Sequence, residues 1–271
     1  EELHGQIRRG LIAKSQVRLV EGSPVPPVLA SRPTAQGSSS PRQTEEGTPA
    51  PPPVSAPIVE SIHGAVPNIV ARRLPGSITI DGRLSEESWL VIPTYSSFKQ
   101  REPEEGQPPT ERTELKVAYD QDALYIGVRL FDSEPTRIMR RLSRRDEGAD
   151  ADVVTIYLDP YLDHVSGVMF EVSAAGAQRD ARIYDDFNRD SQWDAVWVSA
   201  VAVDALGWTA GLRIPLSQIR FVSRPIQTWG INVSRFIHRK AERDWLELVP
   251  RSAPFLASRM AHLTGLDGIE P

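Results

Sequence analysis

Apolar and polar residues alternate along much of the chain after residue 57, with the period of two that is typical of β-strands with one buried face. The alternation is clearest in residues 115–119 (LKVAY) and 124–130 (LYIGVRL), which flank the short polar segment 120–122 (DQD). It recurs at 154–158 (VTIYL). Two alternating runs joined by a three-residue polar connection predict a β-hairpin.

Two further pairs of apolar runs are separated by short segments that contain glycine. We expect strands at 167–173 and 178–184 around the turn AAGA, and strands at 195–203 and 208–214 around the turn DALG. In the second turn, Gly207 takes the position that tolerates a positive φ. We also expect one helical turn at 215–219 and strands at 229–237, 244–248 and 261–266. About ten short strands with almost no helical periodicity predict an all-β fold, an antiparallel β-sandwich.

Residues 78–90 (ITIDGRLSEESWL) have a different pattern, which predicts a short strand, a turn and one turn of helix. Asp81 and Gly82 are residue types that favour the turn. Ser85 is expected to cap the helical turn, because its hydroxyl can accept a hydrogen bond from a free backbone N–H. Trp89 and Trp208 are then expected to be buried anchors.

The N-terminal part of the chain has the composition of a linker. Ten prolines lie between residues 21 and 57, among serine, threonine, glycine and glutamine. Such a segment offers too little apolar surface to offset the entropy of ordering it. We therefore expect two regions, a disordered Pro-rich segment at 1–57 and one β-sandwich domain at 58–271.

Composition excludes several classes of function. The chain has 271 residues, a net charge of −5 and no cysteine. Disulfide frameworks, thiolate metal sites and cysteine nucleophiles are therefore excluded. Mixed charges without a basic face argue against nucleic acid as a partner. Since no apolar run approaches the ~20 residues that span a bilayer as a helix, no transmembrane segment is expected in this chain.

Five segments, taken together, resemble the family 9-like carbohydrate-binding modules, which have a jelly-roll (DOMON-like) β-sandwich. In chain order they are ITIDGRLSEESW, AYDQDALYIGVRLFD, DVVTIYLDP, GWTAGLRIPLSQI and HLTGL, and they span most of residues 69–271. The resemblance implies a domain that binds a glycan or oligosaccharide and leaves catalysis to other domains. It also raises the expectation of a structural calcium ion, which members of the family often carry.

A closer likeness covers residues 143–201. This stretch resembles the N-terminal module of large bacterial proteins in which such a domain precedes a predicted outer-membrane β-barrel. The resemblance implies a location in the bacterial cell envelope (periplasm or outer membrane) or a secreted protein, and a C-terminal β-barrel as a partner.

The resemblance also implies where a sugar would be held. Sugar-binding members clamp a terminal sugar between two tryptophans, and the corresponding places here are Ala149 and the neighbourhood of Pro254 and Phe255. The clamp is therefore missing on one side and altered on the other. Any sugar site in this chain is expected to be displaced.

The segment YDDFNRDSQWDAVW supplies the alternative surface. Trp193 and Trp197, four residues apart, would point to the same face of an extended strand. Exposed, they would form a stacking platform for a glycan; buried, they would belong to the core, as large aromatics usually do. The predicted ligand-binding residues are Arg182, Tyr184, Asp185, Asp186, Asn188, Trp193 and Trp197.

The same segment has alternating oxygen-bearing side chains at Asp186, Asn188 and Asp190, which suit a hard cation such as Ca²⁺. Ser191 and Trp197 stand where a helix–loop–helix calcium site needs glycine and glutamate. The alternatives are a structural calcium ion and a solvated acidic turn.

No catalytic constellation emerges from the sequence. The histidines are scattered without metal spacing, and Met169, formally available as a haem ligand, fits a core strand better. We interpret the chain as a non-catalytic carbohydrate-binding module of a bacterial envelope or secreted protein, targeting an attached glycoside-processing domain. The alternative is a periplasmic interaction domain that docks a C-terminal outer-membrane barrel and has no sugar ligand.

Overall fold

The computed structural model of the protein describes residues 58–59, 67–148, 150–252 and 256–271. These residues form sixteen strands, which in chain order are β1 (Ile58–Val59), β2 (Asn68–Val70), β3 (Arg72–Arg73), β4 (Thr94–Tyr95), β5 (Lys99–Glu102), β6 (Thr113–Tyr119), β7 (Ala123–Phe131), β8 (Val153–Asp159), β9 (Gly167–Ser173), β10 (Gln178–Tyr184), β11 (Asn188–Asp190), β12 (Val198–Asp204), β13 (Gly207–Pro215), β14 (Ile226–Ile237), β15 (Glu242–Trp245) and β16 (Ala261–Asp267). The all-β prediction is confirmed. The predicted disordered segment at 1–57 lies outside the described residues.

Helical structure in the described residues is limited to short pieces. These are the helix α1 (Glu87–Leu90) and 3-10 turns at Pro135–Arg137, Leu216–Gln218, His238–Lys240 and Ala257–Arg259. The helical turn expected at 215–219 is thus present. In the part of the chain that the structure describes, no helix is long and apolar enough to cross a membrane.

The strands form two sheets. A seven-stranded sheet has the order β1-β4-β6-β7-β13-β12, with β3 also paired to β6. A nine-stranded sheet has the order β11-β10-β9-β8-β14-β15-β5, with β16 alongside β14 and β2 alongside β16. The three predicted hairpins are β6–β7, β9–β10 and β12–β13, all antiparallel. Three short pairings, β1–β4, β2–β16 and β3–β6, are parallel, which the pattern of apolar residues did not predict.

The main core lies between the two sheets. Alternate residues of β7 and β13 face alternate residues of β8 and β14, and representative members such as Ile126, Leu212, Ile156 and Val233 have no exposed surface. Trp208 belongs to this core and is also fully buried, as the sequence predicts. The period-two pattern therefore places the inner face of each strand correctly.

The segment before β4 covers the outer face of the seven-stranded sheet. Trp89 is 1% exposed and packs over Gly127, where a Cβ atom would lie 3.0 Å from the indole ring. The predicted cap at Ser85 is wrong: Glu86 is the N-cap residue of α1 and makes no side-chain capping bond. The packing of Trp89, rather than a cap, therefore holds this turn in place.

A second apolar cluster covers part of the outer face of the nine-stranded sheet. Tyr157 and Trp245 stack with ring centroids 5.3 Å apart and an interplanar angle of 17°. Met169 is 1% exposed in this cluster, so it is a core methionine. Val249 and Leu256, from the connection between β15 and β16, close over the stacked rings.

A buried arginine links the two sheets. Arg235 on β14 has no exposed surface, and its guanidinium donates hydrogen bonds to the carbonyl oxygens of Phe131, at 2.6 Å, and Arg112, at 3.0 Å. It also donates to the hydroxyl of Thr113 on β6. These acceptors all belong to β7, β6 and the residue before β6, so one side chain from the nine-stranded sheet satisfies polar groups of the other sheet.

Further charged residues surround this link at the same end of the sandwich. Arg239 donates to Asp132 at 2.6 Å and to Glu111 at 3.0 Å, and Lys240 donates to Glu111 at 2.6 Å. Burial alone would raise the pKa of Glu111, but hydrogen bonds from Lys240 and Ser133 outweigh it and lower the pKa. This end of the sandwich is therefore closed by ion pairs that are largely removed from solvent.

Asp244 differs from Glu111, because its pKa is raised rather than lowered. It lies opposite Arg235 in the β14–β15 ladder and has no exposed surface. Burial, reinforced by the neighbouring Glu242 carboxylate, raises the pKa of Asp244 to about 8, despite the opposing charge of Arg235. The carboxyl group of Asp244 therefore carries a proton at neutral pH.

The replacement Gly207→Ala should destabilise the fold strongly. Gly207 has a φ of +138°, and an added Cβ would lie 2.9 Å from the amide nitrogen of Asp132 and still closer to the Leu130 carbonyl oxygen. Gly106→Ala is the matched control, because Gly106 has a φ of +84° but no atom within 4 Å of the added Cβ. In both variants alanine must adopt a positive φ, which costs about 1–2 kcal/mol. In urea denaturation, Gly207→Ala should lose a further ~1–3 kcal/mol of unfolding free energy through overpacking; equal losses would contradict this geometry.

Asp244 should make stability depend on pH in the neutral range. Because its folded pKa of about 8 lies above the usual 3.8, the folded state keeps a proton that the unfolded state loses. The stabilisation that this proton gives the folded state is complete below the unfolded pKa and is lost as pH rises toward 8. Between pH 5.5 and 7.5 the unfolding free energy of Asp244→Asn should therefore rise, relative to the unsubstituted protein, by at least ~1 kcal/mol.

Asp204→Asn is the control for that experiment. A hydrogen bond from Arg129 holds the pKa of Asp204 below its usual value, so its titration lies below this window. Urea denaturation at each pH should give a profile for Asp204→Asn parallel to that of the unsubstituted protein. A parallel profile for Asp244→Asn as well would show that Asp244 is ionised throughout.

Candidate functional site

The predicted acidic segment is a hairpin at the edge of the nine-stranded sheet. Strands β10 and β11 pair so that Arg182 lies opposite Asp190 and Tyr184 opposite Asn188. The connection places Asp185 at φ 48° and Asp186 at φ 72°, in the left-handed region that aspartate tolerates better than most residues. Asp185 and Asp186 therefore form the turn itself, in agreement with the acidic turn that the sequence analysis gave as one alternative.

Asp186 has a structural contact that the sequence did not show. Its carboxylate accepts hydrogen bonds from the backbone N–H of Ser258, at 3.0 Å, and from the Ser258 hydroxyl, at 2.8 Å. Within the described ranges, no three His, Asp or Glu side chains gather in a position to hold a metal ion. The structure thus gives no support to calcium at Asp186, Asn188 and Asp190, and Asp186 instead fastens the connection that leads into β16.

Trp197 is buried, so the predicted platform of two tryptophans is wrong. Trp197 is 3% exposed, and its ring packs edge-on against Phe170 with the centroids 5.3 Å apart. The spacing argument fails because strand β12 begins only at Val198, and the preceding residues are not extended as a strand. Of the two alternatives from the sequence, Trp197 takes the core position.

A buried carboxylate holds Trp197 there. Asp180 has no exposed surface and accepts hydrogen bonds from Trp197 Nε1 at 2.9 Å, from the N–H of Ala195 at 3.0 Å and from Arg145 at 2.5 Å. Burial raises the pKa of Asp180, against the opposing effect of these three donors. The chain between β11 and β12 is therefore tied to β10 through one acidic side chain.

Trp193 differs from Trp197, because it lies at the margin of the core and keeps part of its surface exposed. Phe170 contacts it edge-on, with centroids 5.9 Å apart. The guanidinium carbon of Arg182 also lies over this ring, 5.7 Å from the centroid. The stacking of a cation on this indole is favourable, and it places two of the predicted ligand-binding residues side by side.

Trp193 and Arg182 line a pocket of about 400 Å³ between the two sheets. We call it the Trp193 pocket; the side chains that matter here are Tyr161, Ser166, Arg182, Trp193, Gln218 and Arg220. Tyr161 and Ser166 come from the β8–β9 connection, whereas Gln218 and Arg220 follow β13 of the other sheet. No carboxylate is among the described residues that line this pocket.

Sequence reasoning missed four of these residues, Tyr161, Ser166, Gln218 and Arg220. Tyr161 follows a predicted strand end and is 46% exposed, which is unusual for a large aromatic ring. A tyrosine placed directly after a strand terminus was the available signal for it. Arg220 offered no signal, because its proximity to Trp193 depends on how the two sheets pack.

The other predicted residues are distributed around the edge hairpin. Tyr184 lines a neighbouring pocket of about 570 Å³ that also includes Arg182. Asn188 lines a third pocket, of about 400 Å³, beside Trp245. Asp185 is exposed at the turn. Four members of the predicted set therefore line three pockets, and the set does not form one surface. The clamp positions at Ala149 and at 254–255 lie outside the described residues.

Asp180 should contribute much more to stability than Asp194, although both accept a hydrogen bond from Nη2 of Arg145. The Asp180 side chain is fully buried, whereas that of Asp194 is 75% exposed. In urea denaturation, Asp180→Asn should lose about 3 kcal/mol, because it breaks a buried charge pair. Asp194→Asn should lose at most ~1 kcal/mol. Equal effects would show that Trp197 does not depend on the Asp180 carboxylate.

No protein-family model matches the sequence, and no curated protein matches it. Among solved structures, the chain is similar to a carbohydrate-binding module of family 9 from Caldicellulosiruptor kristjanssonii in complex with cellotriose. That likeness has 15% identity and a TM-score of 0.52, over 75% of this chain and 100% of the other. A family 9 module from the same organism in complex with glucose has 16% identity and a TM-score of 0.52, over 75% of this chain and 100% of the other.

A third solved structure is a predicted carbohydrate-binding protein from Bacteroides uniformis. It has 14% identity and a TM-score of 0.55, over 73% of this chain and 98% of the other. At such identities the likeness establishes the fold. The chain has the β-sandwich fold of the family 9 carbohydrate-binding modules.

Proposed function

We propose that this chain is a non-catalytic carbohydrate-binding module whose ligand occupies the Trp193 pocket. The observation that carries the proposal is this pocket itself, in which a partly exposed indole stands beside polar side chains from both sheets. Two proteins with the same fold were solved in complex with cellotriose and with glucose, which supports a sugar as the ligand.

The pocket has the chemistry that a sugar requires. The C–H faces of a pyranose pack on flat aromatic rings, and Trp193 and Tyr161 supply two such rings. Hydroxyl groups need donors and acceptors, which the Tyr161 hydroxyl and the Gln218 amide provide. Gln218 is already oriented, because its side-chain oxygen accepts the N–H of Val196 at 3.0 Å. A volume of about 400 Å³ lies within the range of small-ligand sites.

The lining of the pocket favours binding over hydrolysis. A glycoside hydrolase places two carboxylates across the scissile bond, one as an acid and one as a base or nucleophile. The described lining of the Trp193 pocket includes Arg182 and Arg220 but no aspartate or glutamate. We therefore assign any hydrolysis to another domain, which this module would target to its substrate.

The proposed location is the bacterial cell envelope or the secreted fraction. This part of the proposal rests on the resemblance of residues 143–201 to modules that precede an outer-membrane β-barrel. The rival proposal, a docking domain for such a barrel without a sugar ligand, makes the opposite prediction for glycan titrations.

Replacing Trp193 by Ala should weaken glycan binding about tenfold or more, because it removes the stacking face of the pocket. Isothermal titration with cello-, xylo- and manno-oligosaccharides measures this directly. Trp193→Phe keeps an aromatic face and should retain most of the affinity. Phe187→Ala is the control, since Phe187 is an aromatic side chain, 46% exposed, that lies outside this pocket.

Because Trp193 also packs on Phe170, each variant is first compared by thermal unfolding. Unchanged affinity in a folded Trp193→Ala protein would show that the ligand does not bind in this pocket. No binding to any glycan by the unsubstituted protein would favour the docking function.

A further inference from the structure

The Trp193 pocket is positively charged within an acidic protein. The chain has a net charge of −5, yet Arg182 and Arg220 both line this pocket, and no carboxylate is among its described lining residues. The two arginines come from different sheets, Arg182 from β10 and Arg220 from the segment that follows β13. A ligand in the pocket is thus approached by guanidinium groups from two sides.

Arg182 has an acidic neighbour but does not pair with it. Asp190 lies directly opposite Arg182 in the β10–β11 ladder, and no ion pair joins them in the described structure. The guanidinium instead lies over the indole of Trp193, 5.7 Å from the ring centroid. Stacking occupies the face of a guanidinium and leaves its five N–H donors, which point outward in the plane, available.

Arg220 has no side-chain partner at all in the described part of the chain, and it is exposed. Several other arginines are neutralised: Arg129 by Asp204, Arg145 by Asp180, and Arg239 by Asp132. The two arginines of the Trp193 pocket are therefore charged groups without an ion-pair partner among the described residues, and both line the pocket.

The carboxylates near the pocket are engaged elsewhere. Asp163 accepts hydrogen bonds from Val165 N, Ser166 N and the Ser166 hydroxyl. Asp194 pairs with Arg145 at 3.0 Å. Neither of them lines the pocket. The positive charge of Arg182 and Arg220 is thus left for the ligand to balance.

We propose that the Trp193 pocket binds an acidic unit of a glycan, with Trp193 against the sugar ring and Arg182 and Arg220 as contacts to its anionic group. This inference rests on the proposed function and names its ligand class. The anionic group is a uronate carboxylate or a sulfate ester. Arginine suits both, because its planar fork of donors matches two oxygens at once.

The test compares two ligands that differ only in charge. Trigalacturonate and its fully methyl-esterified form have the same sugar skeleton, but the ester is neutral. In titrations of the full chain at low ionic strength, trigalacturonate should bind about tenfold tighter, as expected for hydrogen bonds between ionised groups. The preference should shrink as salt is raised, because the pocket is open to solvent. The same comparison between a sulfated chondroitin oligosaccharide and its desulfated form tests a sulfate ester as the anionic group.

Arg220→Gln tests the assignment to this pocket. It should remove the larger part of the preference for the acidic ligand, with a smaller loss for the methyl ester, because only the acidic ligand presents a charge to Arg220; Arg182 accounts for the preference that remains. Arg224→Gln is the matched control: Arg224 is exposed on the same connection, has no side-chain partner among the described residues, and does not line the pocket. It should retain the preference.

The outcomes separate the two proposals. Preference for either acidic ligand that is largely lost in Arg220→Gln supports the inference, and the arm that responds identifies the anionic group. Equal binding of charged and neutral ligands, both dependent on Trp193, would overturn the inference and leave the proposed function intact. An undiminished preference in Arg220→Gln would also overturn it. Absence of binding to all four ligands and to neutral oligosaccharides would overturn both proposals.

Discussion

The buried guanidinium of Arg235 is the constraint on which the arrangement of the two sheets depends. A charged side chain without exposed surface is costly unless it is hydrogen-bonded, and the two Nη atoms of Arg235 donate to carbonyl oxygens at Arg112 and Phe131, whereas its Nε has no partner among the described residues. Apolar contacts between sheets tolerate sliding, whereas these hydrogen bonds do not. Arg235 therefore sets the register of the two sheets at this end, and the ion pairs of Arg239 exclude solvent around it.

The opposite end of the sandwich has another construction. Strand β8 begins beside Arg235 and ends beside Tyr161, so the strand spans from the ionic network to the Trp193 pocket. There the sheets are held by Trp197 and Asp180, which satisfy each other and fill the space between the layers. Because Trp197 closes the core, Trp193 is left at its margin and keeps part of its indole exposed. The ionic network at one end thus fixes how the two sheets pack, and the Trp193 pocket at the other end depends on that packing.

The sequence predicted those features that depend on neighbouring residues and missed those that depend on distant ones. Alternation placed the three hairpins and the buried Trp208, since a strand facing a core needs only its own pattern. It failed at Trp197, because the indole is positioned by Asp180, seventeen residues away. It failed at Ser85 because the packing of Trp89 decides that turn. Arg220 was invisible, since only the packing of two sheets brings it to Trp193.

The position of the pocket explains how one fold can accept different ligands. Most of the side chains named for it lie on connections, those after β8, β11 and β13, whereas Arg182 lies on β10. Residues such as Tyr161 and Arg220 can change without exposing apolar surface, because neither is buried in the core. If the pocket binds a sugar as proposed, Trp193 would supply a face for any pyranose, and the charge of Arg182 and Arg220 would select among pyranoses. Ligand specificity would then be carried mainly by the connections, with Arg182 from β10, and stability by the strands.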